Sequence, residues 1–184
     1  MTAGREGPLK VLGVDPGSRA AGWAVVTFGA CTSLTAAGVL RPPPSAPLAA
    51  RLLFLRESLR EVVARERPDV AAVERVFSGK NPQSLITLGE ARGVLLVTLV
   101  EAGIPVVEIT PAEIKRAVTG TGAAEKEQVR RMVTALLGWR LALDAADAAA
   151  AALTHGFLAV RGATIAAAAA PARAAGPVRR RPSG

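Results

Sequence analysis

The sequence predicts a single α/β domain built on a five-stranded mixed sheet, a three-strand antiparallel meander plus two parallel strands, flanked by helices. Three observations predict it. The strand-like runs 10–15, 22–28 and 31–40 follow one another through short turns, which suit only antiparallel neighbours. The apolar runs 69–74 and 105–109 are each reached through a helical stretch, the pattern of parallel strands joined by right-handed crossovers. The 184 residues are half hydrophobic but only 3% aromatic, so one sizeable core is built from Ala, Val and Leu.

Residues 1–9 read as a loose leader. Val11 to Val14 form a short, fully apolar run, as in a strand buried on both faces. It ends at Asp15, and Pro16, Gly17 and Ser18 punctuate a turn before the second strand. A carboxylate at the mouth of a buried strand is poorly placed for stability, so it either holds a cation or caps the turn through Asx-type hydrogen bonds. Cys31, expected as a small core residue of the third strand, has no second cysteine for an internal disulfide. That fits a reducing, cytoplasmic setting. Four prolines make 41–47 a rigid connector. Apolar positions 48, 52, 55, 59, 62 and 63 then trace an amphipathic helix over 48–67, stopped by Pro68.

The run 69–74 is a second buried strand that ends in a carboxylate, Glu74. Parallel strands that start level finish level, so Asp15 and Glu74 are expected side by side at the edge where α/β active sites gather. The stretch 83–102 predicts a long helix whose second half is apolar nearly all round, hence central or shared with a partner chain. After the strand 105–109 come a short helix over 112–118, a glycine loop at 120–122, and a helix over 125–137 with Val129, Met132, Val133, Leu136 and Leu137 on one side. A last helix starts near Asp144 in an alanine run, alanine being the best helix former. Asp144 and Asp147 suit the positive end of its dipole, but at i and i+3 they also share one face and reach one point.

No apolar run reaches the roughly 18 residues of a membrane span, and no signal peptide opens the chain, so no membrane partner is expected. Net charge is +8, unevenly placed. Residues 1–160 hold 18 basic and all 15 acidic groups, whereas 161–184 hold five arginines and no acid. This sets the expected domain at 10–160, followed by a disordered Ala/Pro/Arg-rich tail. A basic tail on a modestly basic body suits either a polyanion, nucleic acid first, or plain solubility.

Four carboxylates, Asp15, Glu74, Asp144 and Asp147, remain without an obvious ion-pair partner. Brought together, they repel severely unless cations join them. Hard Mg²⁺ or Mn²⁺ favours such oxygen donors, and two of them per active site suit a phosphoryl displacement. Chain order, hairpin and final helix agree with a ribonuclease H-like nuclease. The segments 13–19 (GVDPGSR), 73–77 (VERVF), 80–81 (KN), 88–93 (LGEARG), 124–129 (AEKEQV) and 144–147 (DAAD) resemble the RuvC family, the bacterial Holliday-junction resolvases. The likeness runs from about residue 9 to 158, and the ordered set is far more specific than any single motif.

The resemblance implies that Asp15, Glu74, Asp144 and Asp147 are the metal-binding catalytic acids. It also implies a C₂ homodimer that makes paired symmetric nicks in a four-way DNA junction, working with the RuvA–RuvB branch-migration complex. Arg75, where the family pattern suggests an uncharged residue, the leader and the arginine-rich tail depart from that pattern. Phe77 is expected as a wedge against a base, or else as an anchor under its own loop, with Lys80 beside it. Lys126, in a helix first turn, and Lys115 and Arg116 on the short helix are candidates for DNA phosphates, or else solvated surface cations. His155, about 12 Å along the last helix from Asp147, reads as structural. The rival readings are a junction-binding scaffold without catalysis and an actin-like ATP-binding fold, for which the chain is short.

Overall fold

The protein is described here by a computed structural model covering residues 7–75 and 81–169. Phe77 and Lys80 lie outside the described residues. Strands β1 (Leu9–Asp15), β2 (Ala21–Phe28) and β3 (Thr32–Leu40) form the expected antiparallel meander. Helix α1 (Leu48–Glu66) leads to β4 (Val70–Glu74), which pairs parallel to β1, and α2 (Pro82–Glu101) leads to β5 (Val106–Ile109), parallel to β4. The sheet order is β3-β2-β1-β4-β5. Helices α3 (Pro111–Thr119), α4 (Lys126–Leu137) and α5 (Leu143–Ala169) complete the chain. The five-stranded mixed sheet and its flanking helices are therefore as the sequence predicts.

Alternation along the strands decides what each face carries. Leu12, Val14, Trp23, Val25, Ala71 and Val73 turn to one face, where Leu55 and Leu59 of α1 and Leu95 and Leu99 of α2 cover them. Val11, Ala24, Val26 and Ala72 turn to the other, against Ala148 to Leu153 of α5. Asp15 and Glu74 lie two residues beyond Gly13 and Ala72, so the same alternation turns them to the α5 face. There the sheet offers glycine. A methyl group built on Gly13 would overlap the carbonyl oxygen of Ala148, and one on Gly22 that of Asp144. Only residues without a Cβ admit the α5 backbone this close to β1 and β2.

Several expectations need correction. Cys31 is exposed in the turn before β3 rather than buried in it, because the bend from β2 lifts it clear of the sheet. On α4 only Val129, Val133 and Leu137 are buried. Met132 and Leu136 face outward, since a helix resting on α3 and α5 covers a narrower stripe than the apolar pattern spans. Helix α5, in its alanine-rich sequence, runs on to Ala169. Among the described residues, α2 has the length and mean hydropathy (1.3) of a membrane-crossing helix. Glu90 and Arg92 interrupt its apolar run, and Leu95 and Leu99 are wholly buried against the sheet.

Candidate active site

Each acid reaches the site by a different local rule. Asp15 is the last residue of β1, placed by the pairing of Val14 with Val73 one step earlier. Glu74 ends β4 in the same register. The expected side-by-side arrangement is thus present, and the two carboxylates repel: Glu74 is the main charge, after burial, that raises Asp15. Asp144 sits in the first turn of α5 and Asp147 one turn further, on the helix that Gly13 of β1 and Gly22 of β2 admit close to the sheet. Asp147 is 8% exposed.

The electrostatics of the group follow from that geometry. Burial, then Glu74, Asp147 and Asp144, push the Asp15 carboxyl up to about 7, with Lys126 the opposing charge. Burial and Asp147 raise Glu74 in the same way, again opposed by Lys126. Asp15 thus senses the other three acids, and Glu74 senses Asp147. Asp147 is the member with cationic partners: Lys126 Nζ lies 2.7 Å and Arg130 Nη2 3.1 Å from its Oδ2. Burial works against the charge of Lys126, yet its bond to Asp147 and the nearby acids carry its pKa above the usual value.

Glu74 is braced from behind. Arg92 of α2 donates from Nε to the Glu74 carbonyl (3.4 Å) and from Nη2 to Glu108 (2.7 Å). Arg75 Nε approaches the same Glu108 oxygen at 3.4 Å. Arg75, the departure from the family pattern, thus leans on β5. A capping box between Thr110 and Glu113 starts α3 directly after β5 and sets that helix beside the acids.

A cavity of about 220 Å³ is lined by Glu74, Lys115, Lys126, Val129, Asp147 and Ala150, among others. Lys115 and Lys126 therefore stand with the acids, as candidate phosphate contacts should. Arg116 does not: one residue on, it turns to a separate cavity of about 680 Å³ with Phe28, Phe157 and Arg161. His155 lies past the site on α5, half-buried, its pKa lowered by burial. Arg92 and Arg130 escaped the sequence reading. The i, i+4 spacing of Lys126 and Arg130 was the available signal for one, and the LGEARG run for the other.

The fit to a hard divalent cation rests on donor chemistry. All four side chains offer oxygen, and Asp15 and Glu74 are raised first by burial and then by neighbouring acids. Among the described residues no three acidic, His or Cys side chains are drawn into a ready-made metal cluster. Asp147 turns toward Lys126 and Arg130 instead.

The comparisons with known proteins agree with this layout. The family described as Crossover junction endodeoxyribonuclease RuvC matches residues 11–155. The protein of that name from Halorhodospira halophila is 48% identical over 148 residues, 79% of this chain and 89% of the relative. Its counterpart from Sorangium cellulosum is 46% identical over 168 residues, 89% of this chain and 93% of the relative. Among solved structures, T. thermophilus RuvC in complex with Holliday junction substrate superposes with a TM-score of 0.78 at 36% identity, covering 84% of this chain and 96% of that one. Sequence, fold and the placement of four acids lead to one conclusion: the chain belongs to the RuvC family of crossover junction endodeoxyribonucleases.

Proposed function

We propose that this protein resolves Holliday junctions in recombination and repair, cutting four-way DNA junctions by paired symmetric nicks that leave 5′-phosphate and 3′-hydroxyl ends. The observation that carries the reading is the shared electrostatic environment of Asp15, Glu74, Asp144 and Asp147 in a chain of this family. These four acids are the catalytic set and would hold Mg²⁺ or Mn²⁺, two ions per active site. Such ions lower the pKa of an attacking water and stabilise the departing 3′ oxygen of a phosphodiester.

The chain's own residues do the rest. Burial of Asp15 and Glu74 keeps bulk water away from the reacting phosphate and strengthens every charge interaction there. Lys115 and Lys126 line the cavity and offer cations to the phosphate oxygens. The Arg92–Glu108 pair holds the end of β4, and so the Glu74 backbone, in place. Phe77, Lys80 and Arg116 are DNA contacts in this reading, Phe77 as a wedge at the opened junction.

Paired nicks need two sites, hence a C₂ homodimer. Its interface is α2, where Ile86, Val97 and Val100 are all more than half exposed, as is Leu53 of α1. The junction is handed over from the RuvA–RuvB branch-migration complex. The setting is cytoplasmic, with the expected domain 10–160 followed by its basic tail.

A mobile synthetic four-way junction incubated with Mg²⁺, with Mn²⁺ and with EDTA tests the proposal. Symmetric 5′-phosphorylated nicks that vanish in EDTA are expected. Altered mobility of the junction without cleavage in any metal overturns it.

A further inference from the structure

One oxygen of Asp147 is shared by two cations of different character. Lys126 is 67% exposed and free to follow solvent or substrate, whereas Arg130 is only 20% exposed. The Nε of Arg130 is buried and has no hydrogen-bond partner. A guanidinium seated with one donor unsatisfied is not held by a complete network of its own; its place is set by attraction to the Asp147 carboxylate. Beside it lies a cavity of about 320 Å³, lined by Arg130, Glu127, Arg131, Thr134, Arg140 and residues of the α5 start. That cavity gives the side chain somewhere to turn. Glu127, three residues earlier on the same face of α4, offers a second carboxylate there.

We propose that Arg130 is a built-in counter-cation for Asp147, competing with divalent metal for its carboxylate and thereby setting the metal concentration at which the site loads. The inference rests on the reading of the four acids as cation ligands. A fixed positive charge beside Asp147 repels an incoming dication and occupies an oxygen it needs. Removing the charge therefore strengthens metal binding even though it removes a contact. A residue that merely held Asp147 in place would act in the opposite sense.

The test is calorimetric titration of the full-length, DNA-free protein with Mn²⁺, using wild type, Arg130→Gln, Arg130→Met and Arg130→Lys. Both neutral variants are expected to bind Mn²⁺ roughly tenfold more tightly than wild type, while Arg130→Lys stays close to it. In thermal melts the neutral variants start lower in EDTA and gain more from Mn²⁺ than wild type does. Arg130→Met retains most of the packing bulk should Arg130→Gln fold poorly. Unchanged or weaker Mn²⁺ binding in the neutral variants, with wild type binding normally, overturns the counter-cation role alone. If neither wild type nor the neutral variants bind Mn²⁺, the cation-ligand reading of the acids fails, and this inference with it.

Discussion

Where α5 crosses the sheet, β1 and β2 present Gly13 and Gly22 to an alanine helix, whereas on the opposite face α1 and α2 meet the same strands through Leu55, Leu59, Leu95 and Leu99. The leucine face is ordinary core. Its energy comes from apolar area removed from water, and its geometry tolerates adjustment. The glycine–alanine face buries less side chain per residue but fixes a distance, because backbone rests on backbone. Asp144 and Asp147 ride on that helix, so the distance it fixes is the one between them and Asp15. One face stabilises the molecule and the other positions its acids.

Five substitutions break or sharpen this contrast. The largest effect is expected for Asp147→Asn, which should abolish junction cleavage in a gel assay while junction binding stays near wild type. Substantial residual cleavage would remove Asp147 from the catalytic set.

The contrast itself is tested by a pair. Gly13→Ala drives a methyl group into the Ala148 carbonyl and lifts α5. Overpacking of this kind costs about 1–3 kcal/mol, and a displacement near 1 Å at the acids lowers cleavage roughly 100-fold. Leu95→Ala empties a wholly buried site on the other face, costing about 2–5 kcal/mol but leaving cleavage per folded molecule close to wild type. Urea melts and single-turnover cleavage measured together decide it. If the two variants lose activity in equal proportion to stability, the faces do not divide the work.

Asp15→Asn separates stability from function more finely. The unfolded carboxyl titrates near 3.8 and the folded one near 7, so between those values the folded protein keeps a proton that the unfolded chain has lost. Stability therefore falls as pH rises from about 4 to 7, and the full penalty stands above that. Its upper bound is a few kcal/mol. In EDTA at pH 8, Asp15→Asn should melt several degrees above wild type, with the gain shrinking toward pH 4. An unchanged melting temperature at pH 8 would show that the acids do not burden the metal-free fold.

The smallest effect concerns His155. Burial lowers its pKa from 6.5, so the unfolded chain binds the proton first and stability is lost as pH falls below 6.5. The side chain is only half-buried, and solvent screens most of this. His155→Gln should flatten the acid side of a melting-temperature profile by a degree or so. A steeper acid limb in the variant would contradict a neutral, burial-strained imidazole.

The order of strands and helices was legible because it depends on local periodicity and on connection length, both written along the chain. Asp15 and Glu74 could be placed together for the same reason: each ends a buried strand, and parallel strands joined by a crossover keep register. Asp144 and Asp147 were legible as a pair on one helical face. Cys31 was misplaced because the end of a strand is set by how the turn leaves the sheet, which a run of β-formers does not record. The seat of Arg116 was equally hidden. One helical step separates it from Lys115, and only the packing of α3 on α5 decides which of the two meets the acids.

What the amino-acid sequence determined by itself was the architecture and the positions of the four candidate acids, two at the ends of parallel strands and two on one face of a helix, since both follow from spacing within single elements and from the order of elements. Tertiary structure decided how closely those acids approach and which cations meet them. Lys126 and Arg130 lie 21 and 17 residues from Asp147 and face it only because α4 packs against α5. Arg92 reaches Glu74 only because α2 lies over β4. Charge interactions act through space and fall off with distance, so their strength is settled by packing rather than by position along the chain.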